Sequence, residues 1–458
     1  MRPHDHAFPK ATMDKIGGNI NRRTFLKDTA VSAAALGALS LAGPLSATAA
    51  SQKLRLAMVG TGSRGIGMWG TPLVEDYPDL LEFVGLCDIN PERSKVAQVA
   101  IGTKAPTFTD FDQMIKTTRP DVVMVTTIDG YHSEYVCRAM ELGCDVVCEK
   151  PLCTRADQAQ AIIDAQKKTG RRLTVTFNAR HGGSSVKLKE LLMSGEIGEI
   201  YEANYDEFLD RSHGADYFRR WHAFKQNSGT LFCHKASHHF DELNWWVDSD
   251  PVEVMAHGRL NVYGHNGPFR HANCRACIFK NKCGFFWDIT KVPWSMQLYV
   301  ECEDSDGYYR DGCVYRSGID IYDTMTAQIK YANGALVSYS LNAAVPYEGQ
   351  FIVFNGSQGR IELRNYNQQP WQVAHDAEIR LTKIDGSTTV IPIQAEAGEH
   401  GGSDKRIRDM IFRPSGADPL KQKAGMRAGL MSSLIGIAGY TSIEEREPVR
   451  IADLVNWG

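Results

Sequence analysis

The segment KLRLAMVGTGSRG, Lys53 to Gly65, constrains the fold more than any other stretch. Its apolar half reads as a buried strand. Its second half sets Gly60, Gly62 and Gly65 in a G-x-G-x-x-G spacing that opens a helix. The first glycine permits a tight turn, the second lets a pyrophosphate approach the backbone, and the third lets helix and strand pack closely. Free N–H groups at the helix start attract phosphate. A second apolar run, LEFVGLCDIN, ends in Asp88, at about the 20-residue offset where a carboxylate accepts from a ribose 2′-OH. A carboxylate there repels a 2′-phosphate, so NAD is favoured. Arg64, a further expected cofactor contact, and Arg93 keep NADP open.

The alternation continues through PDVVMVTT, a helix over His132–Leu142, CDVVCEKP, a helix over Ala156–Thr169, and RLTVTFN. This is the pattern of an α/β doubly wound parallel sheet, with ligands at the carboxyl ends of its strands. His132 and Glu149–Lys150–Pro151 fall at such ends and are expected to face the cofactor crevice. At 458 residues the chain is too long for one core. The expected division is a dinucleotide-binding domain over 51–177 and a second domain over 178–458. A net charge of -3 offers no basic footprint for nucleic acid.

Residues 1–50 read as a leader. NRRTFLK pairs two arginines, a weakly apolar run follows from Ala30 to Gly43, and small residues close it at Ala47–Ala49. These parts make a twin-arginine signal peptide. The apolar run is too short to span a membrane. The expectation is a periplasmic protein, folded around its cofactor before export.

Taken together, Gly60-x-Gly62-x-x-Gly65, Asp88, TTIDGYH and Glu149–Lys150–Pro151 resemble the glucose–fructose oxidoreductase / inositol dehydrogenase (Gfo/Idh/MocA) family. The resemblance runs from about residue 53 to the end of the chain. It implies a Rossmann domain followed by an α/β domain whose open, mostly antiparallel sheet covers the nicotinamide and often serves homo-oligomer formation. It also places Lys150 beside substrate and nicotinamide.

From Ile197 the pattern turns to strands, including DTMTAQIKYANGALVSYSLNA with a hairpin signal at ANGA. The C-terminal AGMRAGLMSSLIGIAGYTSIEE has helical periodicity. Between them HKASHHFD places three histidines and an aspartate in eight positions, 234–241. Read as one helix, His234, His238 and Asp241 share a face. The family resembled here carries Asp-x-x-x-His at this point. His238 matches its histidine, and His234 stands in the aspartate's place. An imidazole relays a proton but does not supply a carboxylate's charge. Proton transfer from an oxidised hydroxyl is the leading reading, with His238 and Lys150 at the hydroxyl and His234 as relay; metal binding and a structural role are the alternatives. Asn178, Arg180, Tyr217, Trp221, Asp241 and His400, the last in GEHGGSD, are candidate carbohydrate contacts.

Five of the eleven cysteines cluster in a Cys-rich insertion at about 265–315. Cys274, Cys277 and Cys283 have the spacing of a chelate, which makes structural zinc one expectation and an iron–sulfur cluster or disulfides the others. The functional expectation is a periplasmic NAD(P)-dependent oxidoreductase acting on a sugar or glycoside hydroxyl, with its cofactor tightly bound and recycled. The alternative, from the glycosidase branch of the family, is a redox-neutral hydrolase working by C3 oxidation, elimination, water addition and re-reduction.

Overall fold

The computed structural model describes residues 53–394, 397–414 and 416–458. The expected leader lies outside them. Six strands form a parallel sheet: β1 (Leu54–Val59), β2 (Leu81–Cys87), β3 (Thr107–Phe108), β4 (Val122–Val125), β5 (Asp145–Cys148) and β6 (Leu173–Val175). Their order is β3-β2-β1-β4-β5-β6. Every residue of β4 is buried, as a sheet covered on both faces requires. The order reverses between β1 and β4, which leaves a crevice beyond their carboxyl ends. Gly60 makes the turn there at φ 88°, and a Cβ on it would press within 2.6 Å of the Thr126 backbone.

The second sheet contains β7 (Ile200–Asp210), β8 (Pro251–Arg259), β9 (Thr324–Tyr331), β10 (Leu336–Val345), β11 (Glu348–Gly356), β12 (Gly359–Gln368), β13 (Ala377–Lys383), β14 (Thr388–Ile393) and β15 (Val449–Arg450). The order is β14-β13-β12-β11-β7-β10-β9-β8-β15. The β7–β10 pair is parallel and the other pairs are antiparallel. Burial alternates along β9, so one face is covered and one is open. The helix Met426–Glu445 packs on the covered side against β8 and the helix Ser237–Val247.

Two departures from the sequence reading bear on function. First, HKASHHFDELNWW is not one helix. A short helix ends at His234 and a second runs from Ser237 to Val247. The Ala236 amide reaches back to the Leu231 carbonyl, 2.9 Å away and five residues earlier. That wide turn breaks the ladder and frees the His234 carbonyl from the helix.

Second, the Cys-rich insertion leans on the first domain. Leu298 and Tyr299 share an apolar cluster with Met58, Met68 and Trp69, joined by Ile407 of the helix Ser403–Phe412. Among the described residues no helix is long and apolar enough to cross a membrane.

Candidate active site

The fingerprint turn and the end of β2 meet as the glycine spacing demands. Asp88 Oδ2 accepts from the Thr61 amide at 2.8 Å and its hydroxyl at 3.0 Å, and Oδ1 from the Asn90 amide at 2.9 Å. A Cβ on Gly62 would meet the Tyr299 hydroxyl at 3.5 Å and no other atom within 4 Å, so the backbone of that glycine is covered only by this one side chain. The cradle fits a dinucleotide: Asp88 and Thr61 would hold the ribose, and the turn's amides the pyrophosphate. One of those amides, Ser63 N–H, donates to Tyr299 Oη at 3.0 Å.

The two arginines that left NADP open are otherwise engaged. Arg93 lies 3.3 Å from Asp88 Oδ1 and 2.8 Å from Asp306 Oδ2 of the insertion. Arg64 turns away from the ribose end, and its Nε donates to Glu149 Oε1 at 2.8 Å. Glu149 also accepts from Trp69 Nε1 at 2.9 Å, so it binds the fingerprint helix to the end of β5 instead of lining the crevice. His132 is held in the same way. Its ring nitrogens lie 2.7 Å from the Pro151 carbonyl and 3.1 Å from that of Thr127, and the side chain is buried. Both residues therefore position Lys150 from behind.

Lys150 reaches across the crevice. Its Nζ donates to the His234 carbonyl at 3.0 Å, the carbonyl released by the broken helix. Burial pushes its ammonium down to about 8, against the pull of Asp129 and Glu149. The His234 ring bonds elsewhere: Nδ1 lies 2.6 Å from Asp129 Oδ2. Asp129 sits in the turn that follows β4. The carboxylate missing from position 234 is thus supplied from the other domain, 105 residues away in sequence. Burial pushes the Asp129 carboxyl up, against the pull of Lys150, and pushes the His234 imidazole down.

His238 stands edge-on to Phe177 with ring centroids 6.2 Å apart, and its Nδ1 is buried without a partner. Burial first, then the charges of Lys150 and Lys235, hold its imidazole well below the ordinary value. The charge of Lys150 bears on both His234 and His238, and its Nζ bonds the His234 carbonyl. His239 points into the second sheet, with Nδ1 2.8 Å from Tyr339 Oη.

The sequence did not single out His222. Its ring lies 4.1 Å from that of His234 and stacks on Trp221 at 3.6 Å. Tyr217 completes the aromatic wall, 5.5 Å from both histidine rings, with its hydroxyl 3.0 Å from His213 Nε2.

Arg180 and Asp241, expected to contact carbohydrate, form a buried ion pair with two 2.6 Å bonds. Neither faces the cleft, because each satisfies the charge the other would leave stranded. Asn178 and His400 converge on Asp404, which accepts from Asn178 Nδ2 at 2.6 Å and lies 2.8 Å from His400 Nδ1. Arg64 Nη1 lies 4.0 Å from the same carboxylate, linking this node to Glu149.

All eleven cysteines are free thiols. Cys274, Cys277, Cys283 and Cys313 wall one cavity of about 10 Å³ together with Phe269, Phe285 and Phe286. Among the described residues no group of three or more His, Cys, Asp or Glu is arranged to hold a metal ion. The expected zinc, or iron–sulfur cluster, on Cys274, Cys277 and Cys283 therefore finds no support. These sulfurs line an apolar space, and Cys274 Sγ accepts from Arg219 Nη1 at 3.2 Å.

Fold and site together define a two-domain, dinucleotide-binding oxidoreductase. The chain belongs to the Gfo/Idh/MocA oxidoreductase family: residues 54–177 match its NAD-binding Rossmann fold and residues 189–451 its C-terminal alpha/beta domain. It is 33% identical over 418 residues to YteT of Bacillus subtilis (strain 168), an oxidoreductase by assumption, covering 86% of this chain and 97% of that one. An inositol 2-dehydrogenase of Klebsiella pneumoniae (strain 342) is 34% identical over 222 residues, 48% of this chain and 60% of its own. Among solved structures, the WlbA dehydrogenase of Bordetella pertussis in complex with NADH and UDP-GlcNAcA shares the fold, with a TM-score of 0.60 and 20% identity over 87% of this chain and 98% of that one.

Proposed function

We propose that this protein oxidises a secondary hydroxyl of a sugar or sugar-like ring polyol, with NAD held tightly and recycled in place. The observation that carries the reading is the meeting of Lys150 with the Asp129–His234 pair at the carboxyl ends of β4 and β5. NAD supplies the hydride acceptor when bound. The chain's own part is the proton. The Asp129 bond holds the His234 ring by Nδ1, and in the tautomer with the proton on Nδ1 the Nε2 atom accepts from the substrate hydroxyl, as a general base requires. The Lys150 ammonium stabilises the alkoxide that forms in a site screened from water by Tyr217 and Trp221. The inositol dehydrogenase relative supports a ring polyol as substrate class. The twin-arginine pattern supports an exported enzyme loaded with cofactor.

The test begins by denaturing purified protein and measuring released nucleotide by absorbance. Intact protein is then offered hexoses, inositols and aryl glycosides without added NAD. Bound nucleotide that becomes reduced, together with a carbonyl product, is the expected result. Aglycone release without accumulation of reduced nucleotide marks the redox-neutral glycoside hydrolase instead. Absence of nucleotide, with no turnover even after NAD is added, overturns both.

A further inference from the structure

Tyr299, Cys302 and Asp306 of the insertion gather around one side chain at the ribose end of the cradle. That side chain is Arg93, on the helix Pro91–Ile101 that follows β2. Its guanidinium carbon lies over the Tyr299 ring, 5.6 Å from the centroid. The Cys302 carbonyl accepts from Asn90 Nδ2 at 2.7 Å, and Asn90 Oδ1 accepts from the Arg93 amide at 3.0 Å. Arg93 Nη2 donates to Asp306 Oδ2 at 2.8 Å, and Nη1 donates to Asp88 Oδ1 at 3.3 Å. Asp306 is itself held by its own loop, where Oδ1 accepts from the Tyr308 amide at 3.1 Å. The side chains of Arg93, Asp88 and Asp306 are only 9%, 7% and 10% exposed, so water screens their charges little. Burial opposes the Arg93 charge, and Asp88 and Asp306 outweigh it and hold the guanidinium protonated. Its Nε is buried without a hydrogen-bond partner. One guanidinium thus stands between a carboxylate of the sheet and a carboxylate of the insertion, with a donor left over.

We infer that Asp306 selects NAD against NADP by keeping Arg93 from a 2′-phosphate. This deepens, and rests on, the reading of the cradle as a site for tightly held NAD. Asp88 would hold the ribose 2′-OH, so a phosphate on that oxygen falls beside Asp88 and the guanidinium bonded to it. An arginine in such a place accommodates a 2′-phosphate when its fork is free. Here two carboxylates already take the fork. A 2′-phosphate meets one cation against two anions in a poorly screened space, and the like charges repel it. The neutral 2′-OH of NAD avoids that cost and still donates to Asp88. The second carboxylate comes from the other domain, 213 residues beyond Arg93 in the chain. Cofactor choice is therefore shared between the end of β2 and the insertion.

The experiment equilibrates the full-length protein with equal concentrations of NAD and NADP and removes unbound nucleotide. The protein is then denatured and the released nucleotides are quantified by chromatography. Wild type should hold mainly NAD. Asp306→Asn, which keeps the shape of the side chain, should raise the ratio of bound NADP to bound NAD by about tenfold, the scale of one hydrogen bond to a charged group. Asp306→Glu, which keeps the charge, should keep the wild-type ratio. The gain should vanish when Asp306→Asn is combined with Arg93→Met, because it depends on the released guanidinium. An unchanged ratio in folded Asp306→Asn overturns the inference and leaves the ion pair as a dock for the insertion. So does a gain that survives the loss of Arg93, or a wild type that holds mainly NADP. Should Asp306→Asn not fold, Asp306→Ser is held to the same expectation. None of these readouts needs turnover. A protein that selects NAD but oxidises no sugar keeps this inference and loses the proposed substrate; one that binds neither nucleotide loses both.

Discussion

The parallel sheet and the insertion that faces it reach the same turn by different means. β1, β2 and β4 pair in parallel, bury apolar side chains and deliver Gly60, Asp88 and Asp129 from their ends. The insertion, about 265–315, contributes no named strand and is fixed by the apolar contacts of Leu298 and Tyr299 together with separate polar contacts. Tyr299 holds Ser63, the Cys302 carbonyl accepts from Asn90 at 2.7 Å, Asp306 pairs with Arg93, and Arg275 pairs with Glu303 and Asp311. A sheet holds position through many cooperative bonds, whereas each contact of the insertion contributes about 1 kcal/mol. The sheet ends carry Asp88, Asp129 and Lys150, and the insertion covers the fingerprint turn beside them.

The largest expected effect tests the sheet side. Lys150→Met should lower kcat by about 10³-fold with bound nucleotide retained; a fall of less than tenfold would remove Lys150 from the chemistry. The pH profile sharpens this. Since the ammonium is the useful form, wild-type kcat should fall as pH rises through about 8, and the variant should lack that limb. The stability effect has the opposite sense. The unfolded chain keeps an ordinary lysine, so it binds more protons than the folded one above about pH 8, and this group's contribution to stability rises with pH until the unfolded lysine also titrates.

Next in size is Arg180→Met, which leaves Asp241 buried without its partner. Urea denaturation should show a loss of about 3–5 kcal/mol, while any protein that remains folded keeps its substrate preference. Asp129→Asn should then cost about 10²-fold in kcat with little change in KM, and the pH dependence of kcat should change shape. Parallel losses in KM would make Asp129 a binding residue. Tyr299→Phe should have the smallest effect, about 1 kcal/mol of stability, together with faster loss of bound nucleotide. A loss as large as that for Lys150 would make the insertion part of the catalytic frame and dissolve the distinction.

Much of the first domain was legible because its signals are local. The Gly60–Gly65 spacing, the apolar runs of β1 and β4, and the helix over Ala156–Thr169 each follow from neighbours in the chain. The residues around Lys150 were legible in place but not in role. His132 and Glu149 lie where expected, yet their partners, Pro151 and Trp69, turn them into supports. Asp129 lies inside TTIDGYH with no local mark of its role, because its significance lies in a 2.6 Å bond to a residue of the other domain. Arg180 and Asp241 show the reverse. Charged residues near a cleft suggest ligand contacts, and burial joined them to one another instead.

The sequence by itself determined a dinucleotide-binding sheet, the order of its strands and helices, and a lysine and histidines in positions to act together. Those properties depend on periodicity and short spacing, which a chain carries in its local order. The tertiary structure alone decided that Asp129 backs His234, that Asp404 gathers Asn178 and His400, and that the insertion rests on Ser63. Such pairs span up to 236 residues. No local pattern encodes them, because a hydrogen bond depends on where two segments meet in space and not on their separation along the chain.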